Sequence, residues 1–155
     1  MDMKKIVFIF AIALISVSCD PKKWVATYAT SWYVKNNTDQ ILIITTSPFI
    51  EADAVVDPGD SALVHSFNPF QYLGEPAFDT FYDAWNGKPE HEWCISVSSK
   101  DGLFLKKWEY IDRNSEGRQL FNESNWELYK KKNDHSDELN FIWVFNILPQ
   151  DIAQL

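Results

Sequence analysis

The chain has 155 residues, with 22 acidic against 14 basic side chains and a net charge of −8. Nucleic-acid binding depends on Lys and Arg neutralising phosphates, so this balance argues against a nucleic-acid partner. Two cysteines and three histidines, none at metal-ligand spacing, give no zinc signature, and no cofactor or metal is expected.

The N-terminus carries the first element. Lys4 and Lys5 precede the apolar run Ile6 to Ile15, which ends in Ser16-Val17-Ser18-Cys19. A spanning helix needs about 20 apolar residues, and this run stops well short. The order of basic start, short apolar stretch and small residues is that of a cleaved export signal. With Cys19 in place it resembles a bacterial lipoprotein signal peptide, in which the cysteine becomes the lipidated first residue. Ser16 stands where Leu is usual, which resembles the relaxed motif of Bacteroidetes-type lipoproteins. Ser16-x-Ser18 also fits ordinary secretion. The expected organisation is a signal over 1–18, a lipidated tether over 19–23 and one domain over 24–155. Asp20 to Lys23 reach at most about 13 Å before Trp24. The signal holds two lysines and one aspartate, so residues 19–155 stand at −9.

Trp24 to Lys35 reads as a strand, with Trp32 and Val34 on one face and Ser31, Tyr33 and Lys35 on the other. Asn36 to Asp39 is a turn cluster, and Ile41 to Thr46, apolar on both faces, is a buried strand. The two strands are expected to form a hairpin. Asp57-Pro58-Gly59-Asp60 fits a type II turn and leads into a strand over Ser61 to Phe67. Pro76 opens a helix of about ten residues, with Phe78, Phe81, Tyr82 and Trp85 at helical spacing and Asn86-Gly87 at its end. Trp93–Ser98 and Leu103–Trp108 form a hairpin around Ser99-Lys100-Asp101-Gly102. Asp112 to Gly117 is a polar loop. Trp126–Lys132 and Leu139–Ile147 form the last hairpin, and Pro149 to Leu155 is a short tail. The last strand is apolar on both faces and belongs inside a sheet. About seven short strands with one helix predict a mainly β fold, a two-sheet immunoglobulin-like or similar sandwich.

The Asn-Asn-Thr turn, β-run and Pro-Gly turn over residues 36 to 59, with Lys107-Trp108, Leu120 to Glu127 and Phe141 to Ile147 ending in Asp151-Ile152, form a pattern that resembles small Bacteroidetes lipoproteins of unknown function. The resemblance supplies no catalytic residue.

Candidate sites are few. Phe78, Tyr82, Trp85 and Trp93 could present a glycan platform, but rings at helical spacing are more often the buried face of the helix. Asp60-Ser61-Ala62 resembles the Asp-Ser/Thr-aliphatic motif of Bacteroidetes O-glycosylation, with Ser61 as acceptor. Glu51, Asp53, Asp57 and Asp60 form an acidic stretch without EF-hand spacing. His65, His91 and His135 read as core or surface histidines, and Cys94, inside a strand, as a buried inert thiol. No nucleophile elbow or phosphate-cradling loop appears. The expectation is a non-catalytic lipoprotein, lipid-anchored to the envelope at the outer membrane and serving interaction or scaffolding. The alternatives are a glycan- or peptide-binding module of a surface uptake system and, third, a small hydrolase.

Overall fold

The computed structural model describes residues 28–47, 53–67, 76–85, 87–132 and 139–152. The signal, Cys19, the tether, Glu51 and His135 lie outside them. Eight strands are described: β1 (Tyr28–Asn36), β2 (Leu42–Ser47), β3 (Ala54–Val56), β4 (Ser61–Phe67), β5 (Cys94–Ser99), β6 (Phe104–Glu109), β7 (Glu127–Lys132) and β8 (Leu139–Ile147). They form two four-stranded sheets, sheet A in the order β4-β1-β8-β7 and sheet B in the order β3-β2-β5-β6. The fold is mainly β, as the strand pattern predicts, and its layout is that of a sandwich.

Alternation decides which side chains enter the core. Thr30, Trp32, Val34 and Asn36 of β1 are buried, as are Phe141, Trp143, Phe145 and Ile147 of β8. Leu42 and Ile44, Val56, Ile95 and Val97, and Trp108 point inward from sheet B. Each such apolar side chain contributes about 1.5–3 kcal/mol on burial. Leu120, Phe121 and Trp126, from the segment between β6 and β7, join the same cluster. The rings of Trp108 and Phe145 meet edge-on at 5.4 Å, joining the two sheets.

The expected hairpin of the first two strands does not form. β1 pairs with β4 and, in parallel, with β8, whereas β2 pairs with β3 and β5. Asn36 explains the crossing. Its Nδ2 donates to the carbonyls of Gln40 at 2.8 Å and Val56 at 3.0 Å. Its Oδ1 accepts from the backbone N–H of Thr38 at 3.0 Å and from Thr38 Oγ1 at 2.6 Å. These bonds bend the chain out of sheet A and fasten it to sheet B. The turn at 57–60 makes the second crossing, from β3 to β4. Gly59 has φ 87°, which a type II turn requires at its third position, and Asp60 N–H donates to Asp57 O at 3.0 Å. The two hairpins expected later in the chain, β5–β6 and β7–β8, both form. A short α-helix, α1 (Pro149–Ile152), follows β8.

The segment Phe78–Trp85 is a 3₁₀ helix, where the spacing of its rings predicts an α-helix. Its side chains are pinned at both ends of the segment. Thr80 Oγ1 donates to Ala77 O at 2.8 Å, Tyr82 OH to Phe121 O at 2.7 Å and Trp85 Nε1 to Ser47 O at 2.7 Å. The last two bonds reach distant segments, at Phe121 and at the end of β2, and hold the helix against the sandwich. Gly87, with φ 83°, follows it. The helix closes one flank of the sandwich: Phe81 stacks on Trp32 of sheet A at 5.5 Å, while Trp85 reaches the end of β2 in sheet B. Strand β3 lies in the acidic stretch, where no strand is expected, because Val56 fills a core position opposite Leu42. Cys94 also departs from expectation. It is a free thiol, only half-buried, because it falls on the outward positions of β5 with Ser96 and Ser98.

Candidate functional site

The outward face of sheet A is built by four strands in register. Tyr33 lies between Leu63 of β4 and Val144 of β8, and Val144 in turn pairs with Glu127 of β7. One row along, Ile142 lies between Ser31 and Tyr129. In the next row Lys35 lies between Ser61 and Asn146. Val144 and Ile142 are half-buried, while Leu63 and Tyr129 are each 52 % exposed. The result is a band of apolar surface that ends in a polar concavity.

That concavity has a volume of about 610 Å³, and Lys35, Asn37, Ser61, Arg118, Glu127, Tyr129 and Asn146 all line it. A string of side-chain hydrogen bonds runs along its wall. Asn37 Nδ2 donates to Asn146 Oδ1 at 2.9 Å, Asn146 Nδ2 to Glu127 Oε1 at 2.9 Å and Tyr129 OH to Glu127 Oε2 at 2.5 Å. The bond to Glu127 raises the Tyr129 phenol above its usual pKa. Arg118 is held by Asp151, at 2.5 Å, and its guanidinium lies 5.0 Å over the Phe145 ring. The Asp151 carboxylate also accepts from the backbone N–H of Leu148 at 2.9 Å, which ties α1 to this wall. The surface therefore offers fixed amide and carboxylate groups and a lysine beside apolar side chains. Glu127 is the one carboxylate among the lining residues.

Position matters as much as chemistry. The concavity lies at the Asn36 end of β1, and Tyr28, the first described residue, lies at the other end of that strand. Nine residues of strand separate these ends by about 26 Å.

The aromatic platform drawn from the sequence is not on the surface. Phe78, Trp85 and Trp93 are 2 %, 0 % and 9 % exposed and fill the core. Trp85 stacks on Trp93 at 6.0 Å, and Tyr82 stacks on Trp93 at 6.4 Å. Tyr82 is half-buried with its hydroxyl spent on Phe121 O. Its pKa is pushed up to about 12, first by burial and then by the fields of Tyr110 and Asp79. Phe78, Tyr82 and Trp85, at helical spacing, and Trp93 beside them thus pack into or against the core. Ser61 is exposed, at the start of β4 and on the rim of the concavity. Cys19 lies outside the described residues. Among the described residues no three His, Cys, Asp or Glu side chains gather in a way that could hold a metal. Asp53 instead accepts a hydrogen bond from Thr45 at 2.6 Å, and exposed His91 lies 3.8 Å from Glu92.

Sequence reasoning misses Asn37, Glu127, Tyr129 and Asn146 as partners. The available signal was the outward parity of Glu127, Tyr129 and Asn146 on β7 and β8, but parity alone does not reveal which strands are neighbours, and Asn37, past the end of β1, carries no such signal.

A second feature lies on the inner side of sheet A. Trp32 pairs with His65 on one side and Trp143 on the other, and Thr30 is the next inward residue along β1. Thr30 Oγ1, Trp32 Nε1, His65 Nε2 and Trp143 Nε1 are all buried without a hydrogen-bond partner. A buried polar group left unpaired costs about 1–3 kcal/mol. Desolvation lowers the His65 pKa, opposed by the field of Asp83, so the imidazole is neutral at neutral pH. Beside Trp143 a cleft of about 330 Å³ opens between the 3₁₀ helix and the β7–β8 pair.

No protein-family model matches this chain, and neither does any curated protein or solved structure.

Proposed function

We propose that this protein is a non-catalytic lipoprotein of a Gram-negative envelope, most simply of the outer membrane, that docks a partner protein on the outward face of sheet A. The observation that carries the reading is the hydrogen-bonded string Asn37–Asn146–Glu127–Tyr129 beside the apolar band of Leu63, Tyr33 and Val144. An ordered polar wall next to exposed apolar surface is the composition of an interface, with a dry centre and a polar rim. The reading takes Cys19 as the lipidated residue. Lipidation there would anchor the Tyr28 end by a short tether and leave the concavity at the opposite end, facing away from the bilayer. Ser61, on the rim, would carry the O-linked glycan that the Asp60-Ser61-Ala62 motif suggests. A glycan there would border the docking surface.

The test is photo-crosslinking in cells that make the protein, with the reactive residue at position 144 on sheet A or at position 96 on sheet B. The reading expects one adduct of defined mass from position 144, none from 96, and loss of the adduct in Tyr129→Ala/Asn146→Ala. Equal labelling from both faces would refute it.

A further inference from the structure

Strand β7 is an edge of sheet A and, among the described strands, pairs only with β8. All six of its residues, Glu127 to Lys132, are exposed, which holds for no other described strand. Such an edge turns backbone N–H and C=O groups to solvent, ready to pair with one more strand. The opposite edge, β4, has β3 and the 3₁₀ helix against it.

The side chains of β7 alternate between two hollows. Glu127 and Tyr129 line the outward concavity, and Leu128 lines the inner cleft with Pro76, Phe78 and Phe141. A strand laid on β7 would send alternate side chains toward each. The charge of the edge narrows the chemistry of that strand. Lys130, Lys131 and Lys132 occupy the half of β7 that pairs with Phe141, Asn140 and Leu139. The acidic residues of the turn that follows, Asp134, Asp137 and Glu138, lie past this ladder and outside the described residues. Opposite charges at directly facing strand positions attract, and like charges repel. Lysines on an edge thus deter an unmatched strand and favour one with carboxylates at the facing positions. Beside Leu128 the facing residue is apolar, because Asp79 and Glu123 share that cleft and repel an acid.

We propose that the partner of the docking face is held by an extended acidic segment that pairs with β7 as a fifth strand of sheet A. Backbone hydrogen bonds supply the hold. Carboxylates facing Lys130 to Lys132, with an apolar residue beside Leu128, supply the choice of partner. This mode of attachment rests on the docking reading, which the adduct from position 144 tests by itself.

The test is amide-resolved NMR of the full chain in detergent, titrated with the end-blocked peptide Glu-Asp-Glu-Val-Ile-Thr. Laid antiparallel, it faces β7 from Lys132 back to Glu127. Lys-Lys-Lys-Val-Ile-Thr is the basic comparison. The acidic peptide should bind saturably, with a dissociation constant below about 1 mM, and amide exchange in β7 should slow severalfold. Lys130→Glu/Lys131→Glu/Lys132→Glu changes exposed residues only and should weaken binding at least about tenfold. No saturable shift up to about 5 mM, equal binding of the basic peptide, or binding that leaves β7 exchange unchanged would overturn the proposal. So would β7 exchange that slows with protein concentration alone, because a second copy would then take the edge. A missing adduct from position 144 in the wild type would remove the docking reading. An adduct from position 144 that persists undiminished in the triple variant would remove only the attachment through β7.

Discussion

Asn36→Ala tests the crossing that places β1 and β2 in different sheets. Asn36 is fully buried, and its side chain makes four hydrogen bonds, two as donor to Gln40 O and Val56 O and two as acceptor from Thr38. Alanine removes all four and leaves the Val56 carbonyl and Thr38 N–H without these partners inside the protein. At about 1 kcal/mol per bond, with relief where Gln40 and Thr38 reach water, the loss is about 3–4 kcal/mol. With an m-value near 2 kcal/mol/M, the urea midpoint should fall by about 1.5–2 M at unchanged slope. Asn37→Ala is the comparison: Asn37 is exposed and its side chain makes one bond, to Asn146, so its midpoint should move by less than about 0.3 M. A shift under about 0.5 M for Asn36→Ala, or equal shifts for the two variants, would refute the argument that Asn36 fastens the sheets together.

Two further outcomes follow from the core and from the buried row. Phe81→Ala removes a fully buried ring that touches Trp32, Trp85, Phe121 and Trp126, and should cost about 3–5 kcal/mol by denaturant titration. His65 is held below its ordinary 6.5, so the folded state disfavours its charged form. The unfolded chain takes up the proton first, and stability should fall as pH drops from about 6.5 through the lower folded value. Asp83 opposes this loss, and the Trp32 ring stacked at 5.4 Å offers no compensating acceptor. In His65→Gln the loss of stability between neutral pH and pH 5, read as a melting midpoint, should be smaller than in the wild type; identical pH profiles would contradict it.

What was legible in the sequence was what neighbouring residues decide. The alternation of Phe141, Trp143, Phe145 and Ile147 gave β8 and its inward face, and Asp101-Gly102 gave the β5–β6 reversal, where Gly102 adopts φ 82°. Pairings between distant segments were not legible. The parallel β1–β8 ladder joins Tyr28 to Leu139, and no local pattern marks it. The hairpin expected from Asn36-Asn37-Thr38 does not form, and Asn36 spends its side chain on Val56 of the other sheet, a choice visible only once Val56 is in place. The concavity draws on β1, β4, β7, β8 and the loop holding Arg118, so it exists only after those pairings. The rings of residues 78 to 93 carried the opposite lesson: their spacing was readable, and their meaning was packing.

The account rests on a domain presented from its Tyr28 end, and the intact mass of the protein isolated from its native cell tests that most directly. The account predicts a chain beginning at Cys19, heavier than residues 19–155 by the mass of several acyl chains, with the increment abolished in Cys19→Ala. An O-linked glycan would add a further increment that disappears in Ser61→Ala. A mass matching unmodified residues 19–155, or one that retains residues 1–18, would contradict it.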